Sequence, residues 1–293
     1  MSFLDHIRRC NAHDLDGFLP FRIGAERVGW VRPDAADVLA RLGGAFVQDR
    51  DGLRLAARIA GFADRSKALA EGAEALVAAG IAPRLRGEIY GVTNAWGRPP
   101  LAALDRGAVP AFGVRAYGVH VNGWRRAADG DIELWLGRRA ADKAVAPGKL
   151  DNMVAGGQPI GLGLMENLVK EAAEEANAPE ALARQARPVG CISYVMEQDE
   201  GLKPDVMFCY DLEVPDDFTP KNTDGEMQDF RLTPAVEAGR IVAETDDFKF
   251  NVNLVVTDFL IRHGLLDPDT EPEYAEIVAG LRGASEPPRT RAS

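Results

Sequence analysis

The residues best equipped for chemistry are three carboxylates, Glu171, Glu174 and Glu175, in the segment KEAAEEA. Spaced at i, i+3 and i+4, they share one face if that segment is helical. Like charges so placed repel by roughly a few tenths of a kcal/mol per pair. A divalent cation among them reverses that sign. Mg²⁺ or Mn²⁺ suits such a set, because hard ions take carboxylate oxygens and keep positions for water and phosphate. The same spacing also describes an ordinary solvated helix surface, so the flanking residues matter. Gly156 and Gly157 follow a strand-like stretch, and Gly161 and Gly163 supply a loop able to fold back over the helix.

The elements that must position these groups are legible around them. Apolar periodicity predicts a helix from about Leu164 to Ala176. Upstream, GVRAYGVHVNGW and DIELWLGRR read as strands joined by the turn-like AADGD, hence a hairpin. Downstream, PVGCISYVM and DVMFCYDLEV read as two more strands, and NVNLVVTDFLIRHG as a closing helix. Strands on both sides of one helix, then a final helix, imply a mixed sheet covered on both faces. The earlier part is a smaller mixture. It holds a helix opened by Pro33 and stopped near Gly43, an Ala-rich helix in SKALAEGAEALVAAG stopped by Gly80, and a strand in GEIYGVT.

The segment GGQPIGLGLMENLVKEAAEEANAP resembles the Nudix box, G-x5-E-x7-R-E-U-x-E-E-x-G-U, where U is a bulky aliphatic. Counting from Gly156, the matching positions are Gly156, Glu171, Glu174 and Glu175, with Lys170 replacing Arg. Leu162 stands where the family places its first Glu, Asn177 replaces the late Gly, and Ala172 and Ala178 fill the aliphatic positions. Glu166 is placed to pair with Lys170 four residues on. Beyond the box, LDRGAVPAFGVRAYGVHVNGW, LWLGRRAADK and PGKLDNMVAGG look like the Nudix branch related to the Nudix half of thiamine pyrophosphokinase fusion proteins. CNAHDLDGFLPFRIGAERVGWV is similar to the opening of that branch's N-terminal companion domain.

This resemblance implies a Nudix α/β/α sandwich with a mixed sheet, preceded by a smaller α+β domain. It implies hydrolysis of a diphosphate joined to an organic group, with thiamine diphosphate or a damaged analogue cleaved to the monophosphate and phosphate. The implied metal ligands are Glu171, Glu174, Glu175 and the Ala155 carbonyl, and the implied catalytic carboxylates are Glu174, Glu175 and Glu226, the last as base or extra ligand. Three of the chain's seven lysines fall between Lys143 and Lys170. Arg138, Arg139 and Lys149 are the phosphate-binding candidates, and Arg231 is a weaker one. Trp30, Trp124, Trp135 and Tyr117 offer rings for stacking on a heteroaromatic group, or else belong to the core. His120 is read as a hydrogen-bonded core residue. A nucleoside- or sugar-diphosphate hydrolase and a non-catalytic ligand sensor are the alternatives. The diphosphate isomerase use of the same fold resembles a site with several histidines and a catalytic cysteine, and only His120 lies near.

Composition bounds the rest. The 293 residues are 46% hydrophobic and 27% charged, as a globular chain of about two domains requires. The net charge of −11 (34 − 45) argues against nucleic acid as partner. No apolar run approaches the roughly 20 residues of a membrane span, and MSFLDHIRRC is too charged for a secretory signal. Cys10, Cys191 and Cys209 form neither a disulfide framework nor a zinc pattern, and Cys191 and Cys209 read as buried small hydrophobes. A cytoplasmic location is expected. GLGLME lacks the third glycine of G-x-G-x-x-G and no G-K-[ST] follows, so dinucleotide and P-loop chemistry is rejected. Residues 1–112 hold 15 Lys/Arg and 13 Asp/Glu, whereas 113–293 hold 19 and 32. That shift suggests a companion domain over 1–112 and a hydrolase domain over 113–285. The expected partner is a small-molecule diphosphate, with a homodimer left open.

Overall fold

The computed structural model describes residues 1–283. The polar tail from Glu286 and the last two positions of the expected 113–285 span lie outside the described residues. Helix α1 (Phe3–Cys10) leads into strands β1 (Leu19–Ile23) and β2 (Glu26–Val31), helix α2 (Pro33–Ala40), strands β3 (Phe46–Asp49) and β4 (Gly52–Leu55), and helix α3 (Gly61–Ala78). The first four strands form a mixed sheet in the order β2-β1-β4-β3, with β1 parallel to β4. Phe21, Phe46, Leu69 and Leu76 fill the core between this sheet and α3. Strands β5 (Ile89–Val92) and β6 (Ala102–Asp105) make a separate antiparallel pair, followed by helix α4 (Val109–Phe112).

The larger sheet is built from β7 (Tyr117–Arg126), β8 (Ile132–Arg139), β9 (Leu150–Asp151), β10 (Val154–Gly157), β11 (Arg187–Gln198), β12 (Gly201–Glu213) and β13 (Met227–Pro234). Its order is β11-β12-β7-β8-β13, and the fold is mixed α/β. The first half of β7 pairs with β10 and the second half with β8, so the sheet opens between them. Helix α5 (Leu164–Ala176), followed by α6 (Glu180–Ala183), covers one face of this sheet. There Leu168, Ala172 and Ala176 pack on Val119 and Val121. Helices α7 (Ala235–Glu244), α8 (Val252–Arg262) and α9 (Tyr274–Gly280) cover the other face. Helix α1 joins this second layer: Phe3, Leu4 and Ile7 are buried with Phe259, Ile277 and Leu281. Among the described residues no helix is long and apolar enough to cross a membrane.

Cys191 differs from expectation. Cys10 and Cys209 are buried, but Cys191 is exposed. The β11–β12 register shifts between Pro188 and Gly190, and such a bulge resets which side chains face the core.

Candidate active site

The loop and helix that carry the carboxylates are held by short-range polar contacts. The Glu166 carboxylate accepts from the Gly163 N–H at 2.8 Å. Buried Asn167 donates to the Gly157 carbonyl at 2.7 Å, and Gln158 donates to the Leu162 carbonyl at 2.8 Å. These bonds brace the loop where Leu162, itself 38% exposed, cannot. The expected Glu166–Lys170 pair is therefore not formed, because Glu166 caps the helix start while Lys170 turns to Glu171 and Glu174. At the other end Asn177 adopts φ 51°, the left-handed conformation a helix-ending Gly would supply, which accounts for the substitution there. Ala172 and Ala178 are both buried, so their small size seats the helix close to the sheet.

All three box carboxylates line one cavity of about 710 Å³, together with Ala155, Gly156 and Gly157. Their environments differ by one helical step. The Glu174 side chain is 49% exposed and that of Glu171 14%, while Glu175 is 2% exposed. Glu175 accepts from the Ala155 N–H at 2.7 Å. In an extended residue the N–H and C=O lie on one side of the strand, so the Ala155 carbonyl is directed to that side too. Burial raises the Glu175 carboxyl well above the usual range, and the Ala155 bond offsets this only in part. Burial also raises Glu171, against the pull of Lys170. Lys170 lies 3.1 Å from Glu171 and 2.7 Å from Glu174. Burial would lower its ammonium, but the hydrogen bonds to Glu174 and Glu171 outweigh that and raise it.

The remaining candidates are placed as follows. Glu226 lines the cavity and pairs with Lys143 at 2.5 Å. Burial would raise its carboxyl, yet Lys143 holds it below the usual range, which makes Glu226 a weaker proton acceptor than the base reading assumed. Arg139 reaches the cavity wall but is buried against Asp151 at 2.7 Å and donates to the Val145 and Ala146 carbonyls. Arg138 and Lys149 are not brought to the cavity. Neighbouring strand residues face opposite sides, so with Arg139 inward Arg138 turns outward. There it pairs with Asp247 at 2.9 Å, and Lys149 pairs with Asp246. Arg231 is also absent from the lining, as are Trp30, Trp124 and Trp135, while Tyr117 is present. Trp135 belongs to the core under α5 and Trp124 packs on Phe259 and His263.

Spacing along the chain did not single out Arg106 from the N-terminal part, Asp151, or Lys249 after α7. Asp151 is buried between Arg139 and Lys249, the latter at 3.4 Å. Burial would raise Asp151, but Lys249 and Arg139 prevail and lower it. His120 is a buried residue, as expected, and also lines the cavity. Its Nδ1 lies 2.9 Å from the Asn152 side-chain oxygen. Burial lowers it to about 4. The unfolded chain, with an ordinary histidine, binds the extra proton first, so this group withdraws stability as pH falls from about 6.5 toward 4. We expect urea unfolding to show a loss of about 2 kcal/mol from this residue between pH 7.5 and 5. The loss should be absent in His120→Asn; equal pH dependence in both proteins would contradict it.

Over 293 residues the chain is 38% identical to "Nudix hydrolase 20, chloroplastic" of Arabidopsis thaliana, covering 96% of this chain and 78% of that protein. Over 285 residues it is 39% identical to "Nudix hydrolase 24, chloroplastic" of the same plant, with the same coverage of 96% and 78%. The chain belongs to the Nudix hydrolase family. It is an enzyme of the Nudix type, a hydrolase of the diphosphate bond. Residues 2–116 match a family described as "Domain of unknown function (DUF4743)". A crystal structure of a Deinococcus radiodurans protein is 24% identical, with a TM-score of 0.44, covering 58% of this chain and 98% of that one.

Nudix hydrolases use divalent metal ions, and the residues of this Nudix hydrolase fit one. The residues that would hold it, Glu171, Glu174, Glu175 and the Ala155 carbonyl, offer hard oxygens. A Cβ on Gly156 would lie 2.4 Å from the Glu171 side chain, so only glycine leaves that carboxylate its place. Lys170 already brings one positive charge to Glu171 and Glu174, which marks the spot as electronegative. Among the described residues no three acidic, histidine or cysteine side chains form a closed cluster. Lys170 holds two of the carboxylates and the Ala155 N–H holds the third.

Proposed function

We propose that this Nudix hydrolase cleaves thiamine diphosphate, or an oxidised analogue of it, to the monophosphate and phosphate with Mg²⁺ or Mn²⁺. The observation that carries the reading is that Glu171, Glu174 and Glu175 line the same cavity as Lys143, Arg139 and Lys249. The branch likeness of the flanking segments supplies the substrate class. Held by Glu171, Glu174, Glu175 and the Ala155 carbonyl, the ion would neutralise phosphate oxygens and activate a water. Lys143, fixed by Glu226, faces the phosphate, and buried Arg139 and Lys249 keep that wall positive around Asp151. Water adds to phosphorus, the bond to the bridging oxygen breaks, and the water's proton leaves toward the face made by Glu174 and Glu175. Most of the acceleration then comes from positioning and charge stabilisation. Tyr117 offers a ring to the organic group.

In this reading residues 1–112 form the companion domain and 113–285 the hydrolase domain, and the protein works in the cytoplasm on a free small molecule, without nucleic acid or membrane. A homodimer is compatible with it. Phosphate release from thiamine diphosphate, its oxidised forms, nucleoside diphosphates and ADP-ribose, each with Mg²⁺ and with Mn²⁺, tests the proposal. Turnover highest on a thiamine-type diphosphate is expected. Preference for a nucleoside or sugar diphosphate would replace the substrate, and no turnover on any member would favour a ligand sensor.

A further inference from the structure

Part of the cavity wall comes from residues before the carboxylate-bearing part: Glu88, Tyr90 and Arg106 line it together with Glu171 and Glu226. The β5–β6 pair that presents them is fastened to the box loop. The Ile160 N–H donates to the Ile89 carbonyl at 2.9 Å. The Tyr90 hydroxyl lies against Gly157 so closely that a Cβ there would come within 1.5 Å of it. Arg106 follows β6 directly. Its N–H donates to the Glu88 carbonyl at 2.8 Å, and its guanidinium pairs with the Glu88 carboxylate at 2.7 Å, 5.9 Å from the Tyr90 ring centre. Asp105 fixes the turn by accepting from the Arg86, Gly87 and Gly107 N–H groups at 2.9, 2.7 and 2.8 Å. Arg106 thus stands on a rigid mount.

Apart from Arg86, which is exposed at the rim, the other cations on the wall are more fully committed within the protein. Arg139 and Lys249 serve Asp151, Lys143 serves Glu226, Lys170 serves two box carboxylates, and Lys203 pairs with Asp205. A guanidinium has five N–H donors, and among the described residues Glu88 is the one side chain accepting from that of Arg106. A planar fork with donors to spare suits a phosphate better than an ammonium already paired.

We propose that Arg106 binds the phosphate of an organic diphosphate, so that the 2–116 region of undescribed function is one wall of the hydrolase site. Tyr90 is then a positioning residue that locks this wall to the box loop. The inference rests on the cavity taking a diphosphate, as proposed above. Calorimetric titration of the full chain with methylenediphosphonate, a non-hydrolysable diphosphate, in Mg²⁺ tests it alongside kinetics on the best panel substrate. Arg106→Gln should weaken diphosphonate binding and raise KM by about 10–100-fold, more than any fall in kcat, with the thermal midpoint unchanged. Arg106→Lys should recover part of the loss. If the Gln variant fails to fold, an affinity for the Lys variant about 3–10-fold below wild type is the reading to take. Unaltered affinity in whichever variant folds overturns the inference while leaving the hydrolase reading intact, since wild-type turnover persists. Wild type that binds no diphosphonate overturns it too; loss of the hydrolase reading itself is recognised separately, by absent turnover across the panel.

Discussion

Replacing Glu175 by Gln is expected to lower turnover by roughly 10²–10⁴-fold while leaving the metal-free protein at least as stable as wild type. The two effects have one cause. Glu175 is a carboxylate placed 2% exposed beside Ala155, where burial disfavours its charged form. Asp151, Glu171 and Glu226 disfavour it further. A carboxyl raised above its unfolded value contributes stability below that value and loses it as pH rises through the folded one. Gln has the same shape, can accept from the Ala155 N–H, and carries no charge to desolvate. Activity and the thermal midpoint in EDTA, measured on both proteins at neutral pH, check this. A Gln variant destabilised by more than about 2 kcal/mol would show that the carboxylate serves folding rather than the reaction.

Gly156→Ala should act at a distance of one side chain. The added methyl would sit 2.4 Å from the Glu171 carboxylate carbon, and the atoms it meets are the far end of a flexible side chain, not backbone. The fold should survive and Glu171 should move. We expect activity to fall about 10²-fold, comparable to Glu171→Gln, and the double variant to be scarcely worse than either single one, because both remove the same carboxylate. Steady-state kinetics on the three proteins decide it. Additive losses would mean that Gly156 matters for some reason other than giving Glu171 room.

The sequence carried the carboxylate helix plainly because its determinants are local. Leu168, Ala172 and Ala176 mark one face at helical spacing, and the observed limits, Leu164–Ala176, coincide with those expected. Helix α8 and the strands β7, β8, β11 and β12 were legible for the same reason: long apolar periods outweigh local ambiguity. The small sheet β2-β1-β4-β3 was not, since four- to six-residue strands with irregular burial leave no period to read. Nor does spacing foretell that α1 crosses to pack on α8 and α9.

The polar wall of the site divides along the same line. Glu171, Glu174 and Glu175 share one helical turn, whereas Arg106, Asp151 and Lys249 meet only through tertiary structure. Arg138 and Arg139 show what sequence adjacency conceals. Both are basic and next to each other, but strand geometry sends one to the cavity and the other to Asp247. The brace that Leu162 cannot supply was likewise hidden. It is shared among Glu166, Asn167 and Gln158, whose partners are all backbone groups.

The central claim is that the α5 carboxylates hold a divalent ion, and titration with Mn²⁺ followed by electron paramagnetic resonance tests it directly. The account predicts that wild type captures Mn²⁺ and removes the free-ion signal, with binding weakened at least about tenfold in Glu175→Gln. Equal capture by both proteins, or none by wild type, would contradict it.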